Sequence, residues 1–589
     1  MSVSNKKINI STTGDVYSIN YSMNLSDNKS LVCKYLNGNS NLIDKSVIKY
    51  IDNIIFKNGY TSINDLLDYN SKNIFSVIYN LFDEINELPE NIFKNCNYLL
   101  NVSQIPNNYT KICKNAFSGC YNLNNVNLHE SITELEDSVF DGCKMLHNIN
   151  INNITKLGKR TFAGTGITSI SLNTNINTLP EYVFADCKKL KTFTFESSLN
   201  VNKGVFAGCT SLTSVTITDF NDGNNKLPDY IFAGCKNLDI ANNVSFIEDI
   251  TEIGEGSLMN CLSLITFNNN ILSIDKYGFK DCVNLESINL EDCTNIGDYA
   301  FKNCQSLETV SLGSIDSMDN KSVFEDCINL KNVNDIYENI NEIGDKYFKN
   351  CKSLSSFNFS NIEQIGKQSF YGCESYGLDE NNQNQTNITL DLSNVTEIGD
   401  YAFANCSSIT RIDFNDSVSL GEGVFMNCTS LKEVELPNSI DNFTNRLFDN
   451  CSSLESITFE SEITDIINLS GLSNCYKIKY IDIPESEKYK VIDNKAIIDK
   501  SDDTIIYVVK DLTVLEIREE DGILNISDDA FNNSNISILN INEDATAPII
   551  NENTFANIAN NNFHVLISRS DPNYSLYMNI LGNNKIYYI

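Results

Sequence analysis

Apolar positions return along this chain as a repeated signature, with no single helical or strand period running through it. The tetrad Phe-x-x-Cys occurs fourteen times, starting at Phe93, Phe117, Phe140, Phe184, Phe206, Phe232, Phe279, Phe301, Phe324, Phe348, Phe370, Phe403, Phe425 and Phe448. Degenerate copies stand at Phe162, with Thr165 for Cys, and at Leu258, with Cys261 kept. Leu472 with Cys475 is a further copy, and two late ones begin at Phe531 and Phe555. Most spacings are 21 to 26 residues. That period is too short for a globular domain and suits one coil of a stacked repeat.

Each copy continues in the same way. Cys406 is followed by Ile409, Ile412 and Phe414, Cys428 by Leu431, Val434 and Leu436, and Cys304 by Leu307, Val310 and Leu312. The ending Leu-x-x-Val-x-Leu predicts a short strand with alternate residues buried. An Ile-Gly step often precedes the Phe, as at Ile253-Gly254, Ile343-Gly344, Ile365-Gly366 and Ile398-Gly399. A glycine at one fixed phase predicts either a positive φ or a close approach to a neighbouring coil. The five residues Gly399 to Phe403 are too few for a stable helix and predict a tight turn whose Phe fills the core between coils. One coil cannot bury its apolar side alone, so the strands must stack into a parallel ladder.

The fullest copy, Ile398-Gly399-Asp400-Tyr401-Ala402-Phe403-Ala404-Asn405-Cys406, resembles the leucine-rich repeats of the BspA-like family. The resemblance covers about residues 90 to 475, with weaker copies to about 560. It implies a repeat solenoid of α/β type dominated by β structure: a right-handed leucine-rich repeat stack with a parallel sheet and coils of 21 to 26 residues. Family members are mostly surface or secreted proteins of bacteria and parasitic protists, associated with adhesion to host proteins or cells. The resemblance therefore implies a protein-binding solenoid without enzymatic activity and without a cofactor.

The repeat sets the expected domain organisation. Residues 1–85 lack it, and the apolar pattern over residues 45–80 predicts one or two helices, as a cap or a small separate domain. The solenoid is expected over 86–475. Residues 476–520 break the period, with expected strands over 489–498 and 504–509 joined by 499–503, like the hairpin that interrupts BspA-like arrays. Terminal repeats and a C-terminal cap are expected over 521–589, with the tail from Phe563 supplying closing strands. The long gap between Phe370 and Phe403 predicts an extra edge loop around residues 378–386, a plausible contact site.

Composition narrows the function. The 589 residues carry 77 acidic and 43 basic side chains, a net charge of -34. Such a chain repels phosphate backbones, so nucleic acid is not an expected partner. At 41% hydrophobic residues it is too apolar for a disordered acidic chain. No apolar run is long enough for a transmembrane segment, and the N-terminus shows no apolar stretch of a standard secretory signal. The expected location is the cell surface or outside, by a non-classical route, with the cytoplasm as the alternative.

Of 19 cysteines, sixteen occupy the motif position, Cys304, Cys406 and Cys428 among them. Equal phase sets these thiols side by side, which predicts a ladder of small buried groups rather than disulfides. Cys33, Cys113 and Cys293 lie off phase and are the expected reactive or paired thiols. The three histidines, His129, His147 and His564, are scattered, and no metalloprotease, nucleotide-binding or nucleophile-elbow motif is present. A calcium site would need an acidic ladder at one strand phase, but of Thr216, Asn289, Ser311, Asp413, Glu435 and Thr458 only two are acidic.

The candidate binding face consists of strand positions between buried residues: Ser214, Thr216, Ser287, Asn289, Thr309, Ser311, Arg411, Asp413, Glu433, Glu435, Ser456 and Thr458. Stacked, they make a long wettable surface for a protein or glycan ligand. Ser and Thr also simply suit exposed strand positions. The later positions are the more charged, which puts a localised site at residues 411–458. Phe301, Phe403 and Phe425, with Cys304, Cys406 and Cys428, are expected as the structural ladder.

Overall fold

A computed structural model describes residues 7–12, 15–20 and 86–588, apart from 89, 97–98, 103–104, 106, 221–224, 335, 337–338, 379–387, 438–445, 460–468, 473, 485 and 583–584. The chain divides into two compact units, Met1–Leu285 and Glu286–Ile589. Among the described residues, α-helix is confined to Ile240–Asn243 and Tyr574–Leu581. Near the start, Lys7–Thr12 and Asp15–Asn20 pair antiparallel, a hairpin that the sequence pattern did not predict. The helical segment expected over 45–80 and, but for Leu378, the edge loop expected over 378–386 lie outside the described residues.

A typical coil contributes two short strands with a turn between them, although the repeat-ending strand is absent over 146–151, 167–172 and 354–359. In the first unit the two-residue strands Glu87–Leu88, Lys111–Ile112, Glu134–Leu135 and Lys156–Leu157 form one parallel ladder. In the second unit Glu342–Ile343, Gln364–Ile365, Glu397–Ile398 and Ser419–Leu420 repeat it. The strands that end each repeat form the second ladder. There Thr389–Leu392 pairs with Arg411–Phe414, and Glu433–Leu436 with Ser456–Phe459 and then Tyr480–Asp482. The ten-residue strand Thr192–Val201 takes part in both, pairing with Ser214–Phe220 at its start and Thr178–Leu179 at its end.

The turn carries the Phe. Residues two before and two after it adopt positive φ, as at Tyr401 (57°) and Asn405 (63°) around Phe403. Asn, Asp and Gly accept this conformation readily, whereas Tyr, Lys or Arg there costs roughly 1–2 kcal/mol. Backbone bonds to the next coil offset the cost. Tyr401, Phe403 and Asn405 donate their N–H groups to the carbonyls of Glu422, Val424 and Met426 at 2.8, 3.0 and 2.8 Å. Asn91, Phe93 and Asn95 do the same toward Lys114, Ala116 and Ser118. The turns themselves are therefore laddered, much as the strands are.

Inside the turns the rings stack. Phe93, Phe117, Phe140, Phe162, Phe184, Phe206 and Phe232 follow one another with centroids 5.3 to 6.1 Å apart. Phe301, Phe324, Phe348, Phe370, Phe403, Phe425 and Phe448 repeat this in the second unit at 5.3 to 5.8 Å.

The glycine of the Ile-Gly step is required by close approach, not by positive φ. A Cβ on Gly399 would lie 2.7 Å from the Lys367 nitrogen of the preceding coil, with no room to move. A second glycine requirement was not legible in the motif. Tyr401 lies flat across the next coil, where a Cβ on Gly423 would come within 2.4 Å of its ring. Tyr182 with Gly204 and Tyr230 with Gly256 repeat the pairing.

The interruption after Cys475 is a three-stranded meander, not the expected two-stranded hairpin. Tyr489–Ile492 turns back into Ala496–Asp499, which turns back into Thr504–Val508. Asp493 and Asn494 both take positive φ, and Lys495 N–H closes on the Ile492 carbonyl at 2.8 Å. That is a type I′ turn, which splits what reads as one strand. The meander then rejoins the stack, Thr504–Val508 pairing in parallel with Asn525–Ile526. Val508 takes the Phe place, its N–H bonding Ala530 O at 3.0 Å. Two residues on, the buried Lys510 offers its ammonium to Asn532 O at 2.6 Å, the carbonyl that a backbone N–H satisfies in regular coils. Burial brings that ammonium down to about 8. At the C-terminal end Val514–Ile517, Ile538–Ile541, His564–Ile567 and Ile586–Tyr588 form a parallel sheet, with the helix Tyr574–Leu581 between the last two.

Phe403 is 1% exposed between Phe370 and Phe425. Phe403→Ala is expected to cost about 3–5 kcal/mol and to lower the urea midpoint followed by far-UV circular dichroism. An unmoved midpoint would mean that the ring stack contributes little.

Candidate functional site

The twelve strand positions alternate with buried neighbours and face outward, none of them buried. Ser214 and Thr216 belong to the first unit, opposite Thr192 and Thr194. The other ten belong to the second. There Ser287 and Asn289 flank the buried Ile288, and Thr309 and Ser311 stand opposite Asn332 and Asn334. Arg411 and Asp413 pair with Thr389 and Asp391, and Glu433 and Glu435 with Ser456 and Thr458. The ladder residues Phe301, Phe403, Phe425, Cys304, Cys406 and Cys428 are all buried beneath the turns.

Register adds two residues that the sequence reading left out. Asp391 stands opposite Asp413, and Asp482 opposite Thr458. Asp391 and Asp413 thus stand together in one paired set, and Glu435, Thr458 and Asp482 in the next, with Arg411 bridging the two sets through Glu433 and Glu435; four of these five outward residues are acidic. The segments Thr389-Leu-Asp-Leu and Tyr480-Ile-Asp-Ile carry the required alternation. They were missed because the first follows the inserted loop and the second follows the degenerate Leu472 copy.

One cation answers these charges within the face. The Arg411 guanidinium lies 3.0 Å from Asp413 and 3.4 Å from both Glu433 and Glu435. Its hydrogen bond to Asp413 raises its already high pKa further. Two recesses open beside these residues. The larger, about 230 Å³, is bounded by Phe357, Phe359, Tyr376, Thr389 and Asp391 among others. The smaller, about 160 Å³, is bounded by Ile412, Asp413, Phe414, Asp416, Glu435 and Pro437.

The other ladder presents a different surface. In the first unit Lys111 bridges Glu87 at 3.5 Å and Glu136 at 2.6 Å, Lys156 meets Glu134 at 2.8 Å, and Lys226 meets Asp275 at 2.7 Å. An open groove of about 510 Å³ borders Glu134, Glu136 and Lys156 of this set, with Lys114, Asp137, Lys159 and Pro180. Its charges are matched between coils, so it acts as a strap across the stack and not as a field of one sign.

The thiols are occupied. Fourteen motif cysteines each donate to the carbonyl of the Phe, or Leu258, in the coil before, as Cys428 does to Phe403 at 3.4 Å and Cys406 to Phe370 at 3.2 Å. All eighteen described cysteines are buried thiols outside any disulfide. The off-phase pair is not reactive in character. Burial, with Glu87 and Glu136 beside it, pushes the Cys113 thiol up to about 12, and burial pushes Cys293 up to about 11. Cys113 holds the place that glycine takes in other coils, four residues before Phe117. Cys33 lies outside the described residues. His147 bonds Gly166 O and His564 stacks on Tyr587, and among the described residues no three His, Cys, Asp or Glu side chains are grouped to hold a metal ion.

Stacked parallel ladders with little helix and one buried Phe-x-x-Cys turn per coil define a leucine-rich repeat solenoid. The family model described as the BspA type leucine rich repeat region (6 copies) matches residues 46–146, 110–239, 225–334, 251–377, 380–502 and 507–574. The chain belongs to that family. Among solved structures, a leucine-rich repeat protein from Bacteroides ovatus is 22% identical, covering 60% of this chain and 83% of its own, with a TM-score of 0.38. One from Eubacterium ventriosum is 16% identical, covering 67% and 86%, with a TM-score of 0.33. A leucine rich cell surface protein from Faecalibacterium prausnitzii is 18% identical, covering 58% and 86%, with a TM-score of 0.25. No curated protein matches the chain.

The thiol pKa values give a direct test. At pH 8 a disulfide reagent should leave the eighteen described cysteines of the native protein unmodified, and all should react in denaturant. Raising the pH from 8 to 10 should change native labelling little, because the folded thiols lose their protons only above that range. Fast labelling of Cys113 or Cys293, read by peptide mass spectrometry, would overturn their assignment as inert.

Proposed function

We propose that this chain is a non-enzymatic protein-binding solenoid whose outward strand face in the second unit contacts the ligand, and that it serves adhesion or host interaction at the cell surface. The observation that carries this reading is the set of outward side chains from Thr389 to Asp482, held by parallel pairing within 389–414 and within 433–482, joined by the Arg411 ion pairs and backed by a buried core. A rigid backing fixes the spacing of polar groups, so a partner meets a preformed surface with little ordering cost. Membership of the BspA-type family supports the same reading. The Faecalibacterium relative is a cell surface protein by its description.

A second reading is an intracellular scaffold or regulatory binding protein. Eighteen thiols outside any disulfide favour it, because reduced cysteines in such number suit a reducing compartment. Both readings use the same face and differ in location. Labelling intact source cells with a membrane-impermeant amine reagent separates them: labelled lysines from this chain place it outside, and labelling only after lysis places it inside.

The binding claim is tested by screening the purified chain against host matrix proteins, host cells and a glycan array. A ligand that loses affinity by about tenfold or more on joint Glu433→Lys and Glu435→Lys substitution, with an unchanged circular dichroism spectrum, is expected. Ligands that ignore this double change would move the site elsewhere.

A further inference from the structure

The outward face of the second unit has a chemistry that points to one class of partner. Between Thr389 and Asp482 it presents Asp391, Asp413, Glu433, Glu435 and Asp482 against the single guanidinium of Arg411. That guanidinium is a stand-in for a ligand. It already sits among Asp413, Glu433 and Glu435, and two of its three contacts are long, at 3.4 Å. Three carboxylates around one cation retain acceptor sites for another.

The two recesses add shape to the charge. Each joins aromatic side chains to carboxylates: Phe357, Phe359 and Tyr376 with Asp391 in one, Phe414 with Asp413, Asp416 and Glu435 in the other. An aromatic wall beside a carboxylate suits a cationic side chain with a long apolar stem, which arginine and lysine provide. A neutral sugar would leave the carboxylates unanswered, and an anion would be repelled.

Spacing makes the assignment specific. The first recess borders the strand Thr389–Leu392, and the second lies between Arg411–Phe414 and Glu433–Leu436. Asp391 and Glu435 are two coils apart, about 10 Å at the usual strand separation. Three residues of a polyproline II chain, one full turn at about 3.1 Å per residue, span about 9 Å and return the side chain to the same side.

We propose that this face binds a basic segment of a protein partner in the polyproline II conformation, seating two cationic side chains three residues apart in the two recesses, with Arg411 as an internal competitor for the same carboxylates. The proposal rests on the reading of this face as the ligand-binding surface and names the partner's chemistry.

The test uses the full chain and fluorescein-labelled peptides with two arginines in a Gly-Ser background, separated by two, one or four residues. Fluorescence anisotropy is read in EDTA at low and at moderate salt. The two-residue spacer is expected to bind most tightly, at least about threefold better than the others, and to weaken with salt. Asp413→Asn with Glu435→Gln should weaken it by about tenfold or more. Arg411→Ala should tighten it by about threefold, because the competitor is removed. Glu342→Gln, on the other ladder, should leave it unchanged. Equal binding of all spacers, or insensitivity to the paired carboxylate substitution, would reduce the effect to general polyelectrolyte attraction and overturn the proposal. Weaker binding in Arg411→Ala would overturn the competitor role. If no peptide binds while a ligand from the wider screen depends on Glu433 and Glu435, the basic-segment proposal falls and the binding-face reading stands.

Discussion

The structure depends on one carbonyl per coil. The Phe that turns each coil is buried, so its C=O must be satisfied without water. It accepts the backbone N–H of the motif Cys of its own coil, as Cys406 N–H does to Phe403 O at 3.2 Å. It also accepts the thiol of the following coil, as Cys428 does to the same oxygen. The thiol is a weak donor, but small enough for the corner and able to fill the second lone pair. This explains why the motif keeps cysteine where a purely apolar residue would also pack. Where Thr165 replaces the cysteine, its hydroxyl turns back to Phe162 O of its own coil at 2.8 Å, an oxygen that also accepts the Cys187 thiol.

Everything else in the coil follows from bringing those turns together. Ring stacking needs the turns in line, and the backbone ladder through the residues flanking Phe holds them so. Left-handed residues on each side of the Phe make the turn tight enough, which accounts for the recurring Asn, Asp and Gly. At Tyr182, Tyr230 and Tyr401, which take a left-handed place, the ring covers the next turn and a glycine faces it. The outward face is a by-product of this order. Because the core fixes the strands to within a register step, the paired strands of 389–414 and of 433–482 each set their outward side chains side by side. Charge on that face is then tolerated because only solvent, Arg411 or a ligand stands opposite it.

The exceptions obey the same rule. At the meander the regular turn is lost, and with it a backbone N–H that would have met Asn532 O. A buried lysine supplies the donor instead, at the expense of holding an ammonium in poor solvent, and its pKa falls accordingly. At Cys113 a thiol replaces the glycine of the Ile-Gly step, and neighbouring Glu87 and Glu136 keep it protonated along with burial.

The amino-acid sequence by itself determined the coil, its period and its buried set, because one Phe, one Cys and alternating aliphatic residues recur at fixed offsets and each offset has a single packing solution. At the Ile-Gly step it left positive φ and close approach both open, and the structure chose close approach. Tertiary structure decided what depends on the neighbouring coil. Asp391 and Asp482 joined the acidic face only when strand register set them beside Asp413 and Thr458. The thiols proved to be donors to the preceding turn only when that turn was in place. The strand reading of 489–498 failed because the left-handed preference of Asp493-Asn494 is local, while the pairing that exploits it is not. Offsets within one coil are covalent and legible along the chain, whereas contacts between coils depend on register, which insertions such as the one after Phe370 reset.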